Sequence, residues 1–135
     1  MTVLDTSALV DFVLGAAVAD QVRALMAAEG ELAAPDLAIF ETLAVLRRET
    51  LRGVLADERA ASAIEDLGDV PLELFPSMPL RRRAWSLRAN MTAADALFVA
   101  LAEQLGEPLA TKDEALIAEA AKHADVAVVS LRRSP

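Results

Sequence analysis

The feature that most restricts the possible folds is a regular alternation of short apolar runs with longer stretches of helical period. Strand-like runs are expected at Thr2 to Leu4, Glu31 to Ala33, Leu72 to Phe75, Pro108 to Ala110 and Val126 to Val129. Helical patterns lie between them, over Ser7 to Leu14, Val18 to Ala28, Asp36 to Leu51, Asp57 to Leu67, Leu80 to Arg88, Ala93 to Leu105 and Glu114 to His123. Pro35, Pro71, Pro79 and Pro108, with Gly30, Gly53, Gly68 and Gly106, punctuate the expected boundaries. Strands separated by helices are joined by crossovers, so the layout predicts an α/β fold with a mostly parallel central sheet and helices on both faces. The 135 residues contain no internal repeat, linker or low-complexity segment. One domain spanning residues 1–135 is expected, with 132–135 as a loose tail.

Composition removes whole classes of chemistry. The chain has no cysteine, which excludes disulfides, thiolate metal sites and cysteine nucleophiles. Its one histidine, His123, allows no histidine metal cluster and falls late in an amphipathic helix. No G-x-S-x-G turn accompanies it, so a serine triad has no support, and neither G-x-G-x-x-G nor a P-loop is present. Apolar runs break well short of the roughly 18 residues that span a membrane, and no basic segment precedes an apolar one at the start. A cytoplasmic protein is expected. The net charge of −8 weighs against tight nonspecific nucleic-acid binding. Arg81, Arg82, Arg83 and Arg88 nevertheless cluster, as do Arg47, Arg48 and Arg52. The segment with Trp85 reads either as a half-buried helix with a solvated basic face or as a phosphate contact beside a cleft.

Four acids occupy element boundaries or helical faces in this layout. Asp5 and Asp113 come directly after strand-like runs, at the sheet edge where parallel sheets bind ligands. Asp95 falls in the first turn of its helix, where the backbone dipole tolerates negative charge. Glu41 shares a helical face with Leu37, Ala44 and Val45, an inward stripe on which an unpaired carboxylate is costly. Each has a local explanation too. Asp5 and Asp113 suit helix caps, Thr92 to Asp95 matches a capping box, and Glu41 could pair with Arg48. If the four converge, their repulsion matters: two like charges about 4 Å apart repel by roughly 4 kcal/mol at an effective dielectric near 20. Such a group must take up protons or bind a cation.

Four segments carry a family likeness: Val3 to Leu9, Ala34 to Glu41, Thr92 to Ala102, and Leu109 to Asp113. Together, in order and across nearly the whole chain, they resemble the PIN-domain proteins, and among these the VapC-type toxins of bacterial toxin–antitoxin pairs. The resemblance implies a PIN-like three-layer sandwich. It maps the family's acids onto Asp5, Glu41, Asp95 and Asp113, and its hydroxyl residue before the last acid onto Thr111. Many relatives carry a tyrosine in the third segment, where this chain has Phe98 or Ala94. The likeness implies a Mg2+- or Mn2+-dependent endoribonuclease that cuts structured RNA, a transfer or ribosomal RNA, and so inhibits translation. It further implies a homodimer and a VapB-type antitoxin whose basic segment enters the acidic pocket.

On that footing Asp5 and Asp95 are the expected metal ligands, with Glu41 and Asp113 completing the pocket and Thr111 orienting Asp113 or a water. An oxygen-only set suits magnesium. Two other readings share the acid pocket. A receiver-type phospho-acceptor domain needs paired acids after the first strand, but Thr6 and Ser7 follow Asp5, and Lys112 is poorly placed for its lysine. A non-catalytic module would use the acids only to hold a basic peptide.

Overall fold

The computed structural model describes residues 1–132; residues 133–135 lie outside it. Of the expected loose tail, only Arg132 is therefore described, and it is tied down: its backbone N–H donates to Gln21 Oε1 at 3.1 Å and its Nε to Ser130 Oγ at 2.9 Å. The elements in chain order are β1 (Val3–Leu4), α1 (Thr6–Leu14), α2 (Ala19–Glu29), β2 (Leu32–Pro35), α3 (Leu37–Leu51), α4 (Asp57–Asp69), β3 (Leu72–Phe75), a 3-10 turn (Met78–Leu80), α5 (Arg81–Ser86), α6 (Ala93–Leu105), β4 (Leu109–Thr111), α7 (Glu114–His123) and β5 (Val128–Ser130).

The five strands form one parallel sheet in the order β3-β2-β1-β4-β5. The chain therefore steps outward from β1 through β2 to β3, returns across the sheet to β4 on the other side of β1, and continues outward to β5. Helix α1 packs against α2, α3 and α4, while α5 packs against α6 and α7 against β4 and β5; with the right-handed crossovers usual for parallel strands, the reversal of direction assigns α1 to α4 to one face and α5 to α7 to the other. The direction of travel reverses between β1 and β4, and a crevice opens beyond the carboxyl ends of such a strand pair.

Central strands are buried on both faces and read as unbroken apolar runs: Val3, Leu4, Leu32, Ala33, Ala34, Leu109 and Ala110 are fully buried. Helix α6 contributes Ala96, Phe98, Val99, Ala100, Leu101 and Ala102 to the same core. A smaller cluster of Val13, Leu46 and Ala63 joins α1, α3 and α4.

Most boundaries differ from expectation by one or two residues, and three of the shifts have a visible cause. Strand β2 runs to Pro35 instead of ending at Ala33. Leu32 and Asp36 donate to Pro71 and Phe75 on the β3 side, while Ala33 donates to Thr2 on the β1 side. By that alternation position 35 would donate to the carbonyl of Leu4, the last residue of β1, so the missing N–H of Pro35 ends the β1–β2 ladder there, after the Val3–Ala33 pair. The helix expected over Leu80 to Arg88 is the shorter α5, entered through the 3-10 turn that contains Pro79. The last strand is shifted to Val128–Ser130 by its pairing with Leu109 to Thr111. The buried stripe of α3 is also displaced by one position. Ala38, Thr42 and Leu46 face the core, while Glu41 is half-buried and Ala44 exposed.

Candidate active site

Asp5 stands at the end of β1 in extended backbone, and its N–H donates to the Ala110 carbonyl of β4 at 3.1 Å. Its side chain caps α1, accepting from the Ala8 N–H at 3.0 Å and from Ser7 Oγ at 3.0 Å. The Thr111 hydroxyl, on the last residue of β4, donates to the second carboxylate oxygen. That same hydroxyl oxygen accepts from the Asp113 N–H at 3.0 Å. Asp113 in turn caps α7, its Oδ1 accepting from Ala115 and Leu116 at 2.9 and 3.2 Å. Asp95 occupies the first turn of α6, with its N–H on Thr92 Oγ1 at 3.1 Å. Glu41, on α3, accepts from Thr6 Oγ1 at 2.6 Å. The capping explanations of Asp5 and Asp113 therefore hold, and these caps also fix both carboxyls at the crevice; Thr92 caps α6 through the Asp95 N–H, but the return bond of a full capping box is not among the contacts of the described residues. The Arg48 pairing considered for Glu41 is not formed; Arg48 faces Glu49 at 3.3 Å.

All four acids line one open cavity of about 550 Å³, together with Thr6, Ser7, Val10, Asp11, Phe40, Ala44, Val45, Arg48, Phe98 and Lys112. The apolar face of α3 at Ala44 and Val45 is thus a pocket wall and not a core contact. Burial pushes the Asp5 carboxyl above its ordinary pKa, with Asp113 adding to the rise, against the opposing hydrogen bonds from Thr111, Ala8 and Ser7. Asp95 is raised likewise, first by burial and then by the negative charges of Asp113, Asp5 and Glu41. The cavity's two basic side chains are each engaged by another acid: Arg48 by Glu49, and Lys112 by Asp11 at 2.6 Å.

Sequence reasoning missed the Lys112–Asp11 pair and the hydroxyls of Thr6 and Ser7 as pocket groups. Asp11 shares a face of α1 with Ser7, a spacing that could have drawn attention to it. His123 ends α7, near Glu119 at 3.3 Å, and does not line the cavity.

The donor chemistry fits a hard divalent cation: every acid offers carboxylate oxygen and no sulfur or imidazole competes. Among the described residues no three such groups already stand in ligand geometry. An ion here would keep water in several of its positions, which magnesium favours.

Comparison with known proteins places the chain. The family model for the PIN domain matches residues 2–123. Ribonuclease VapC12 of Mycobacterium tuberculosis is 34% identical over 135 residues, covering 96% of this chain and 100% of that one. Ribonuclease VapC1 of the same organism is 36% identical over 117 residues, covering 86% and 88%. The crystal structure of PAE2754 from Pyrobaculum aerophilum superposes with a TM-score of 0.70 at 23% identity, over 94% of this chain and 81% of that one, a likeness of fold. With a parallel sheet that reverses direction at β1 and β4, and with relatives matched along nearly their whole length, the chain belongs to the PIN-domain family, in its VapC-type branch.

Proposed function

We propose that this protein is a Mg2+- or Mn2+-dependent endoribonuclease, the toxin of a VapBC-type pair, cutting structured RNA such as transfer or ribosomal RNA. The observation that carries the reading is the meeting of Asp5, Glu41, Asp95 and Asp113, from four distant segments, around one crevice at the β1/β4 reversal. The names of the ribonuclease VapC relatives support it. Asp5 and Asp95 are assigned as ion ligands, with Glu41 and Asp113 holding water or a second ion and Thr111 orienting Asp5 and Asp113. A divalent cation, when bound, supplies the positive charge that activates water and steadies the phosphate oxygens. The chain's own part is to hold the acids apart from basic side chains: Thr111, Ser7 and Ala8 orient Asp5, and Thr6 orients Glu41.

The wider assignment rests on the same reading. A cavity of this charge suits a basic side chain from a VapB-type antitoxin. Exposed Phe40, Leu43 and Leu51 on α3 suit a homodimer contact. The whole chain acts as one nuclease unit in the cytoplasm; among the described residues no helix is long and apolar enough to cross a membrane.

The test is expression of the wild type and of Asp5→Asn in a host, with sequencing of RNA 5′ ends, alongside purified protein with transfer RNA in Mg2+ or EDTA. Discrete new ends are expected for the wild type in Mg2+ only, and background for Asp5→Asn. An Asp5→Asn protein that still cuts in a metal-dependent way ends the proposal. RNA that is bound and left uncut by the wild type favours the non-catalytic module instead.

A further inference from the structure

Away from the acid cavity, three arginines without a carboxylate partner fall close together, on α5 and in the turn that follows it. Among the described residues Arg81, Arg82 and Arg88 have no acid within ion-pair distance, as is also true of the scattered Arg47, Arg59 and Lys122, whereas Arg23, Arg48, Arg52 and Arg83 each have one. In the midst of these cations stands Trp85, the sole tryptophan of the chain, 68% exposed. An aromatic ring of that size normally contributes its area to a core or an interface. The Arg88 guanidinium lies over the indole, its carbon 4.8 Å from the ring centroid, and its Nη1 donates to the Trp85 carbonyl at 3.1 Å. Cation and ring are thereby held as one unit. Arg81 is steadied by the Met78 carbonyl at 3.0 Å.

Beside the ring is a groove of about 240 Å³ whose walls include Ala93 and Leu97 from the first turns of α6. The same turns present Asp95 and Phe98 to the acid cavity. A helix is about 10–12 Å across. Groove and cavity therefore flank one end of α6, a single helix width apart.

Three unpaired guanidiniums around an exposed, pre-stacked aromatic face match the two surfaces of an unpaired nucleotide, its phosphate and its base. A second copy of a chain with net charge −8 would gain from the charges but would leave no π-face for the ring, and a duplex has no free base face to offer. Resting on the ribonuclease reading above, we infer that Trp85 is a stacking platform for an unpaired base of the RNA substrate. That base lies close along the strand to the phosphate that enters the acid cavity, and Arg81, Arg82 and Arg88 take neighbouring phosphates.

Because Trp85 is the only tryptophan, its emission reports on the platform directly. The wild-type protein in EDTA is titrated with short single-stranded oligoadenylate, and separately with an RNA duplex of equal length. Quenching by the single strand is expected, weakening as salt is added, with little response to duplex. By anisotropy of labelled oligoadenylate, Trp85→Ala should bind about five- to a hundredfold more weakly, while Trp85→Phe keeps most of the affinity. Unchanged emission at saturating single strand, equal quenching by duplex, or full affinity in Trp85→Ala would each overturn the inference. So would emission that depends on protein concentration alone, which would assign the ring to a contact between copies. Binding in EDTA requires no cleavage, so the two ideas fail separately. Quenching without any cutting refutes the nuclease reading alone, and cutting without quenching refutes the platform alone.

Discussion

Thr111 governs two acids with one hydroxyl. It donates to Asp5 and accepts from the Asp113 N–H at 3.0 Å, and it is fully buried where β4 ends. Thr111→Val keeps the branched shape and removes only that oxygen. A carboxylate oxygen and an N–H then lose a partner, at a cost of roughly 1–3 kcal/mol for buried polar groups. The urea midpoint of Thr111→Val should fall accordingly, with Thr111→Ser close to the wild type; equal midpoints for all three would show the hydroxyl to be dispensable. At this scale the sequence was partly transparent. Caps are local, so Asp5, Thr92 and Asp113 announce themselves through the helical residues within three positions of them. That Asp5, Asp95 and Asp113 share one cavity came only from the expected sheet edge and the family likeness. The Asp11–Lys112 pair joins positions 101 apart, and no pattern along the chain marks it.

Between elements, one contact fastens the helix that carries Asp95. Glu103 on α6 accepts from Arg83 Nε at 2.7 Å and Nη2 at 3.1 Å, and also from the Asp125 N–H at 3.0 Å. Arg83 Nη2 donates in addition to the His123 carbonyl at the end of α7, at 2.9 Å. A forked arginine thus joins α5, α6 and the exit of α7. Arg83 holds the Glu103 carboxyl below its ordinary pKa, so the stabilisation is present above the unfolded value and is lost as the pH falls through the folded one. Arg83 is 42% exposed, so solvent screening leaves about 1 kcal/mol for Glu103→Gln at neutral pH. Denaturant midpoints of Glu103→Gln and wild type should differ there and converge under acid; a constant gap would assign the loss to packing. The elements themselves were visible from periodicity and breakers, because these are properties of neighbouring residues. The face of α3 was not. Ala38 and Thr42 are weak apolar signals although they are buried, while Ala44 and Val45 line a cavity and imitate a core stripe. Pocket walls and cores share a composition, and only the third dimension separates them.

Across the molecule, the fold concentrates negative charge that it does not itself neutralise. Asp5 and Asp95 have folded pKa values raised by burial, and neighbouring acids raise them further. A raised carboxyl stabilises the fold below its unfolded pKa, and that contribution is lost as the pH climbs through the folded value. In EDTA, removing one such charge should therefore help more as the pH rises. Asp5→Asn is expected to melt progressively higher than the wild type from mildly acid to neutral pH. Excess Mg2+ should then reverse the trend, because an ion that binds only the folded wild type stabilises it by about 2.7 kcal/mol at a hundred times its Kd. Its effect on Asp5→Asn should be smaller, since a first-choice ligand is gone. Scanning calorimetry over this pH range, with and without Mg2+, reads both effects without any RNA. A wild type whose melting temperature ignores Mg2+ at neutral pH, or an equal rise in Asp5→Asn, would mean that the carboxylates relieve their repulsion by protonation alone. The crevice between β1 and β4 would then hold no cation, and the chemistry assigned to it would have to be sought elsewhere on the molecule.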